Sequence, residues 1–243
     1  MSDIKLYTFA LSPYGLKVQC YLSFLQLDFQ IVYVDPIKMR QELPVGRKVP
    51  VLSIDGEARN ESTQLGLWLD EKYPLQRLVP QDLKVDVMAA DDWVTHRLIP
   101  HLFRDAIGYD DPPVERARKR LKMSKVLDQT SPRGLSLLFR LLHLLFIGRT
   151  FVGDQVSSTD TASTLPELKQ QLAGEFEKLL GAGPFLAASE QPTLADLSAY
   201  PQIVIPRLLQ GEDYFLPGGT VQNWVDAVEQ AVPGIHRCLP AIK

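Results

Sequence analysis

Ser12-Pro13, Val49-Pro50 and Glu61-Ser62 are the residues whose types and spacing can do chemistry in this chain. Ser12 follows the apolar run Ile4-Lys5-Leu6-Tyr7-Thr8-Phe9 and precedes a proline, as expected where a helix opens directly after a strand. Such a helix start offers unpaired N–H groups and a partial positive charge, which favour a neighbouring anion. A hydroxyl placed there can donate to a thiolate, and lowering a free thiol's pKa by ~2 units corresponds to about 2.7 kcal/mol. It can equally serve only as a helix cap. Pro50 stands before Val51-Leu52-Ser53-Ile54 and cannot donate to a central ladder. A cis peptide bond at the strand entry is one solution, and it leaves the Val49 backbone free for a peptide-like ligand. Ser62 can cap the helix that follows it. Alternatively its hydroxyl and the N–H groups there hold a carboxylate while Glu61 accepts from an ammonium.

The elements that would position these residues follow in order. The strand around residues 4–9 leads to a helix carrying Val18, Tyr21, Leu22 and Leu25, then a strand from Phe29 to Val34. A polar stretch with Pro44 and Gly46 precedes the strand at Val51 to Ile54, which turns at Asp55-Gly56 into a hairpin. A helix from Glu61-Ser62 to Tyr73-Pro74 completes the order β-α-β-(α)-β-β-α. Pro74 and Pro80 bracket a linker. Beyond it the apolar spacing is helical throughout, with helices over 85–98, 112–126, 135–147, 166–180, 195–209 and 221–232. The expected class is α/β plus all-α: a thioredoxin-like N-terminal domain over 1–79 and an all-helical C-terminal domain over 84–243.

Composition narrows the function. The 243 residues carry a net charge of −3 with 45% hydrophobic residues, giving no electrostatic case for nucleic acid or anionic membranes. The basic run Arg116-Ala117-Arg118-Lys119-Arg120-Leu121-Lys122 reads as a solvated helix face. The apolar stretch from Leu135 to Ile147 is interrupted by Arg140 and His143 and falls short of the ~20 residues of a bilayer span. It reads as a buried helix or the wall of an apolar pocket. The four histidines are scattered, and Cys20 and Cys238 have no metal-ligand or C-x-x-C spacing, so no metal is expected. Cys20 reads as a core residue. The N-terminus lacks the pattern of a secretory signal, and a reducing, cytoplasmic location is expected.

Taken together, Leu6-Tyr7-Thr8-Phe9, Ser12-Pro13-Tyr14-Gly15-Leu16-Lys17-Val18, Lys48-Val49-Pro50-Val51-Leu52 and Glu61-Ser62 resemble the glutathione-binding domain of the glutathione S-transferase superfamily, with a serine-type site. The likeness is firm over residues 3–80. It is looser beyond, where Thr193-Leu194-Ala195-Asp196 looks like the family's capping box, a folding device. The resemblance implies that the Val49 backbone, next to a cis Pro50, meets the cysteinyl unit of glutathione, and that Glu61 and Ser62 hold the γ-glutamyl group. Lys48, or Arg47 beside it, is implied at the glycine carboxylate, and catalytic Ser12 at the thiolate. Glutathione is then the co-substrate, its partner a small hydrophobic electrophile, and the assembly a homodimer. A non-catalytic glutathione-fold binding or interaction module is the alternative. Ser12-Pro13-Tyr14-Gly15 lacks both sulfurs of the glutaredoxin C-P-Y-C stretch, which argues against thiol–disulfide exchange. The run from Val32 to Leu52 also resembles the soluble domain of the membrane-associated prostaglandin E synthase type 2 branch, although that branch has Cys at the Ser12 position. Trp93, Arg97 and His101, at four-residue spacing, are candidates to face Ser12 from the helical domain.

Overall fold

The computed structural model describes residues 2–35, 38–75, 77–130, 165–210 and 219–240. Strands β1 (Ile4–Thr8), β2 (Gln30–Tyr33), β3 (Val51–Ile54) and β4 (Glu57–Asn60) form one mixed sheet in the order β2-β1-β3-β4. β1 runs parallel to β2 and antiparallel to β3, and β3 pairs with β4 across the Asp55-Gly56 turn. Alternation within β1 buries Ile4, Leu6 and Thr8 on one face. Helices α1 (Pro13–Phe24) and α3 (Ser62–Lys72) pack against each other, and short α2 (Met39–Glu42) lies over a minor core of Val34, Leu43 and Val51. Tyr7 and Phe9 pack into that minor core. The expected thioredoxin-like arrangement is present.

The linker is held in place. Asp70, at the end of α3, accepts hydrogen bonds from the backbone N–H groups of Leu78 (2.6 Å) and Val79 (3.2 Å), and the Leu78 carbonyl receives the Leu194 N–H at 2.7 Å. Leu78 and Val79 are buried core residues despite their proline-flanked setting.

The helical region comprises α4 (Lys84–Trp93), a π-helical turn at Val94–Leu98, α5 (Ile99–Ala106), α6 (Pro113–Thr130), α7 (Leu165–Leu180), α8 (Leu194–Gln210) and α9 (Thr220–Ala231). The first three form one continuous helical rod, longer than the periodicity over 85–98 suggests. α8 lies at the centre, against α1, α4 and α5, with Tyr200, Ile203, Leu197 and Ala199 buried. Its start is a fully buried capping box: the Asp196 carboxylate accepts from the Thr193 N–H and hydroxyl, the Leu186 N–H and the Trp224 indole N–H, each at 2.8 Å. Burial pushes Asp196 up to about 6, and the four donors pull the other way. Cys20 is buried as expected. Among the described residues, no helix is long and apolar enough to cross a membrane. The stretch 135–147 lies outside the described residues.

The basic run is a correction. Arg116 donates to the carbonyls of Gly108 and Asp111, Lys119 to that of Asp105, and Arg120 to that of Ile107. These carbonyls end α5 and begin the turn after it, where outward-facing C=O groups and the negative end of the helix dipole favour cations. Lys119 also bonds the buried Asp105 carboxylate at 2.7 Å, and Lys122 reaches the Leu209 carbonyl. Only part of the run, such as Arg118, remains a solvated face.

Candidate functional site

The sheet brings the chain segments that lead to the three candidate stretches to one end. Tyr7 pairs with Val51, and Val51 pairs with Asn60. The end of β1, the entry to β3 and the exit of β4 are therefore neighbours, and the chain just beyond each carries Ser12, Val49-Pro50 and Glu61-Ser62. Their separation in sequence is closed by strand register alone.

Ser12 is the N-cap of α1, with extended backbone, and its Oγ accepts the Gly15 N–H at 3.2 Å. That bond uses a lone pair and leaves the hydroxyl proton available to donate. Capping and anion binding are therefore compatible at this residue. Gly15 lies against the sheet: a Cβ there would sit 1.8 Å from Thr8 Oγ1. Contact between the first turn of α1 and β1 thus requires glycine at the second position of the missing C-x-x-C pair.

The Val49-Pro50 peptide bond is cis, and Pro50 is buried with Val49 half-buried. The loop before it approaches β4 through Gly46, whose φ is +72° and whose Cβ, if present, would lie 2.5 Å from Asn60 Nδ2. Arg47 and Lys48 on this loop are exposed.

Glu61 adopts φ 70° and ψ 107°, outside the regions non-glycine residues favour. Such a conformation costs on the order of 1–3 kcal/mol and tends to cluster at binding sites. Ser62 is not the cap suggested by its sequence context. Glu61 occupies that position, its carbonyl receiving the Leu65 N–H at 2.8 Å, and Ser62 is the first helical residue. α3 has no side-chain cap bond, so its first N–H groups remain for a ligand. Glu61 is exposed and Ser62 is 7% exposed.

Trp93 and Arg97 do not face Ser12. The Trp93 indole N–H and the Arg97 guanidinium both bond the Glu175 carboxylate on α7, at 2.8 and 3.0 Å. His101 is buried and turns its Nδ1 back to the Arg97 carbonyl. The rod instead buries Val87, Ala90, Val94 and Leu98 in the core, and the face carrying Trp93 and Arg97 is turned to Glu175 of α7. Ile99, Leu102, Phe103 and Ala106 face α1 instead, lining an apolar cleft with Leu11, Pro13 and Leu16. The two neighbours of Ser12 in sequence are thus walls of this cleft. Among the described residues Gln202 on α8 is the one polar side chain lining it, and it donates to the Pro13 carbonyl at 3.0 Å and the Ser198 carbonyl at 3.1 Å. The cleft formed by the described residues holds about 40 Å³, well below the ~300–1,000 Å³ of small-molecule sites, and would admit only an apolar edge of a ligand.

Sequence reasoning missed the polar seam behind these helices. Lys17, fully buried, pairs with Asp91 of α4 at 2.9 Å and donates to Thr95 Oγ1 at 2.8 Å. Asp91 also accepts from Thr63 Oγ1 at 2.6 Å and from Ser198 Oγ. Burial pulls the Lys17 ammonium down from its ordinary value, and Asp91 opposes that shift. A lysine amid Leu16, Val18 and Cys20 is the one sequence signal for this pairing.

Residues 6–77 match the family model of the glutathione S-transferase N-terminal domain. A curated relative, prostaglandin E synthase 2 of Mus musculus, is 20% identical over 99% of this chain and 74% of its own length. Among solved structures, the beta-etherase LigF from Sphingobium sp. strain SYK-6 superposes with a TM-score of 0.63 at 20% identity, covering 97% of this chain and 98% of its own. Human glutathione transferase theta-2, solved in complex with glutathione, superposes with a TM-score of 0.64 at 18% identity, covering 97% and 86%. Residues 6–77 thus match the glutathione S-transferase N-terminal domain, and the chain as a whole shares the fold of these solved structures.

Proposed function

We propose that the protein binds glutathione and stabilises its thiolate for attack on a small hydrophobic electrophile. The observation that carries this reading is Ser12: a helix-capping hydroxyl with its proton free, set between two walls of an apolar cleft. In this reading glutathione lies along that end of the sheet. The Val49 backbone meets its cysteinyl unit beside Pro50, Lys48 reaches its glycine carboxylate, and Glu61 and Ser62 hold its γ-glutamyl end. Ser12 donates to the sulfur, lowering the thiol pKa, and the cleft brings the apolar partner to it. The division into a glutathione-binding domain over 1–79 and a helical domain over 84–243 belongs to the same reading, as does a cytoplasmic setting, which suits two free cysteines.

Glu61→Ala is expected to weaken glutathione binding at least tenfold, because it removes the acceptor for the ligand's ammonium, a charge-assisted bond worth about 1.5–3 kcal/mol. Calorimetric titration of both proteins checks it, and unchanged affinity removes Glu61 from the site. Binding by the wild type without turnover of any hydrophobic electrophile would favour the binding-module alternative.

The same reading includes a symmetric homodimer. Leu75 and Val85, two of the most exposed large apolar side chains, flank the connection between α3 and α4 and suit a contact surface. Light scattering at micromolar concentration should return twice the 27.3 kDa chain mass, and a monomeric mass would refute the dimer.

A further inference from the structure

Asp91 gathers both helices of the proposed glutathione site onto the helical domain. Its side chain is 1% exposed. Oδ1 meets Lys17 of α1 and Ser198 of α8, and Oδ2 takes the Thr63 hydroxyl of α3. Because Ser198 Oγ donates to Asp91, it accepts from Tyr21 OH at 2.6 Å, which ties α1 to the same carboxylate a second time. Thr63 directly follows Ser62, and Lys17 lies in the helix that Ser12 opens.

Two features make this more than a structural knot. α3 has no side-chain cap of its own, and it begins from the strained Glu61. Thr63 is the second residue of that helix, and its bond to Asp91 is a restraint supplied from another element at the end where the γ-glutamyl group would bind. Asp91 is also an anion beside the N-terminus of α3, where it would compete with a ligand carboxylate for the helix dipole. Lys17 neutralises it from within hydrogen-bond distance, so the restraint is kept and the positive end of α3 stays open to the ligand.

We propose that Asp91 is a positioning residue for glutathione, fixing the starts of α1 and α3 relative to one another through Lys17 and Thr63, so that the thiolate end at Ser12 and the γ-glutamyl end at Glu61-Ser62 keep one separation. This rests on the glutathione reading above. The helical domain then sets glutathione affinity through a residue that does not touch the ligand.

Thr63→Val tests it with little disturbance, since valine keeps the shape and leaves Asp91 paired with Lys17 and Ser198. Titration of the full chain with glutathione is expected to show binding weaker by about fivefold or more, the lower end of energetic coupling between linked sites. Thr63→Ser, which restores the hydroxyl, should recover wild-type affinity. A bond that served only stability would shift the unfolding midpoint of Thr63→Val and leave the affinity of the folded protein unchanged, and that result would overturn the proposal. Hydrogen exchange keeps the test independent of glutathione. In Thr63→Val the amides of Gly15 and Leu16, on the other helix, should exchange faster than in wild type. If the wild type binds no glutathione, the functional reading fails, while faster exchange at Gly15 and Leu16 still supports the coupling and unchanged exchange overturns it.

Discussion

Asp196→Ala is expected to cost about 4 kcal/mol of stability, enough to remove much of the ~5–15 kcal/mol that holds a typical domain together. The carboxylate is fully buried and receives four donors, from Thr193 twice, from Leu186 and from Trp224. Alanine leaves all four without their acceptor. Each buried unsatisfied group costs about 1–3 kcal/mol, and water entering the vacated space relieves part of the sum. The loss should spread beyond the start of α8, because Leu186 belongs to the connection after α7 and Trp224 to α9. Urea unfolding of wild type and Asp196→Ala measures it as a drop in the transition midpoint. Asp196→Asn, which keeps one acceptor oxygen, should lie between them. A midpoint within experimental error of the wild type would show that the four bonds are replaced without cost.

Ser12→Ala is expected to raise the pKa of glutathione bound to the protein by about 1–2 units, from a lost bond to a charged acceptor worth about 1.5–3 kcal/mol. Near neutral pH the thiolate fraction, and with it kcat/KM toward a hydrophobic electrophile, should fall about tenfold to a hundredfold. The variant also loses the cap to Gly15, a 3.2 Å bond whose removal costs about 1 kcal/mol of stability. Thiolate absorbance against pH, recorded on saturated protein, separates the two effects. A displaced titration curve in a folded, glutathione-binding variant supports the thiolate role. Superimposed curves would leave Ser12 as a cap alone and move the stabilising role to the backbone N–H groups of α1 or to the helical domain.

Helix and strand identities were legible in the chain because their signals are local. Ser12-Pro13 marks the start of α1, Asp55-Gly56 turns β3 into β4, and Thr193 with Asp196 opens α8. The fold class followed from the order of those elements, and the three candidate stretches stood out because each combines a constrained backbone with a polar side chain. Whether Ser62 or Glu61 caps α3 was not legible, since it depends on a single unusual φ that the hairpin's exit imposes on Glu61.

What the tertiary structure decided is which polar groups are inside. From sequence, Lys17 is a charge amid apolar neighbours. Its burial becomes affordable only because α4 presents Asp91 to it, a partner distant in the chain that no local rule identifies. The residues from Arg116 to Lys122 read as a solvated face for the same reason, until the turn after α5 sets its carbonyls against Arg116, Lys119 and Arg120. Trp93 and Arg97 have correct helical spacing but the wrong direction, because the rod packs its Val87, Ala90, Val94 and Leu98 face into the core and turns these two to Glu175 of α7. Periodicity determines that a helix has two faces. Packing against the sheet and α8 determines which face meets Ser12.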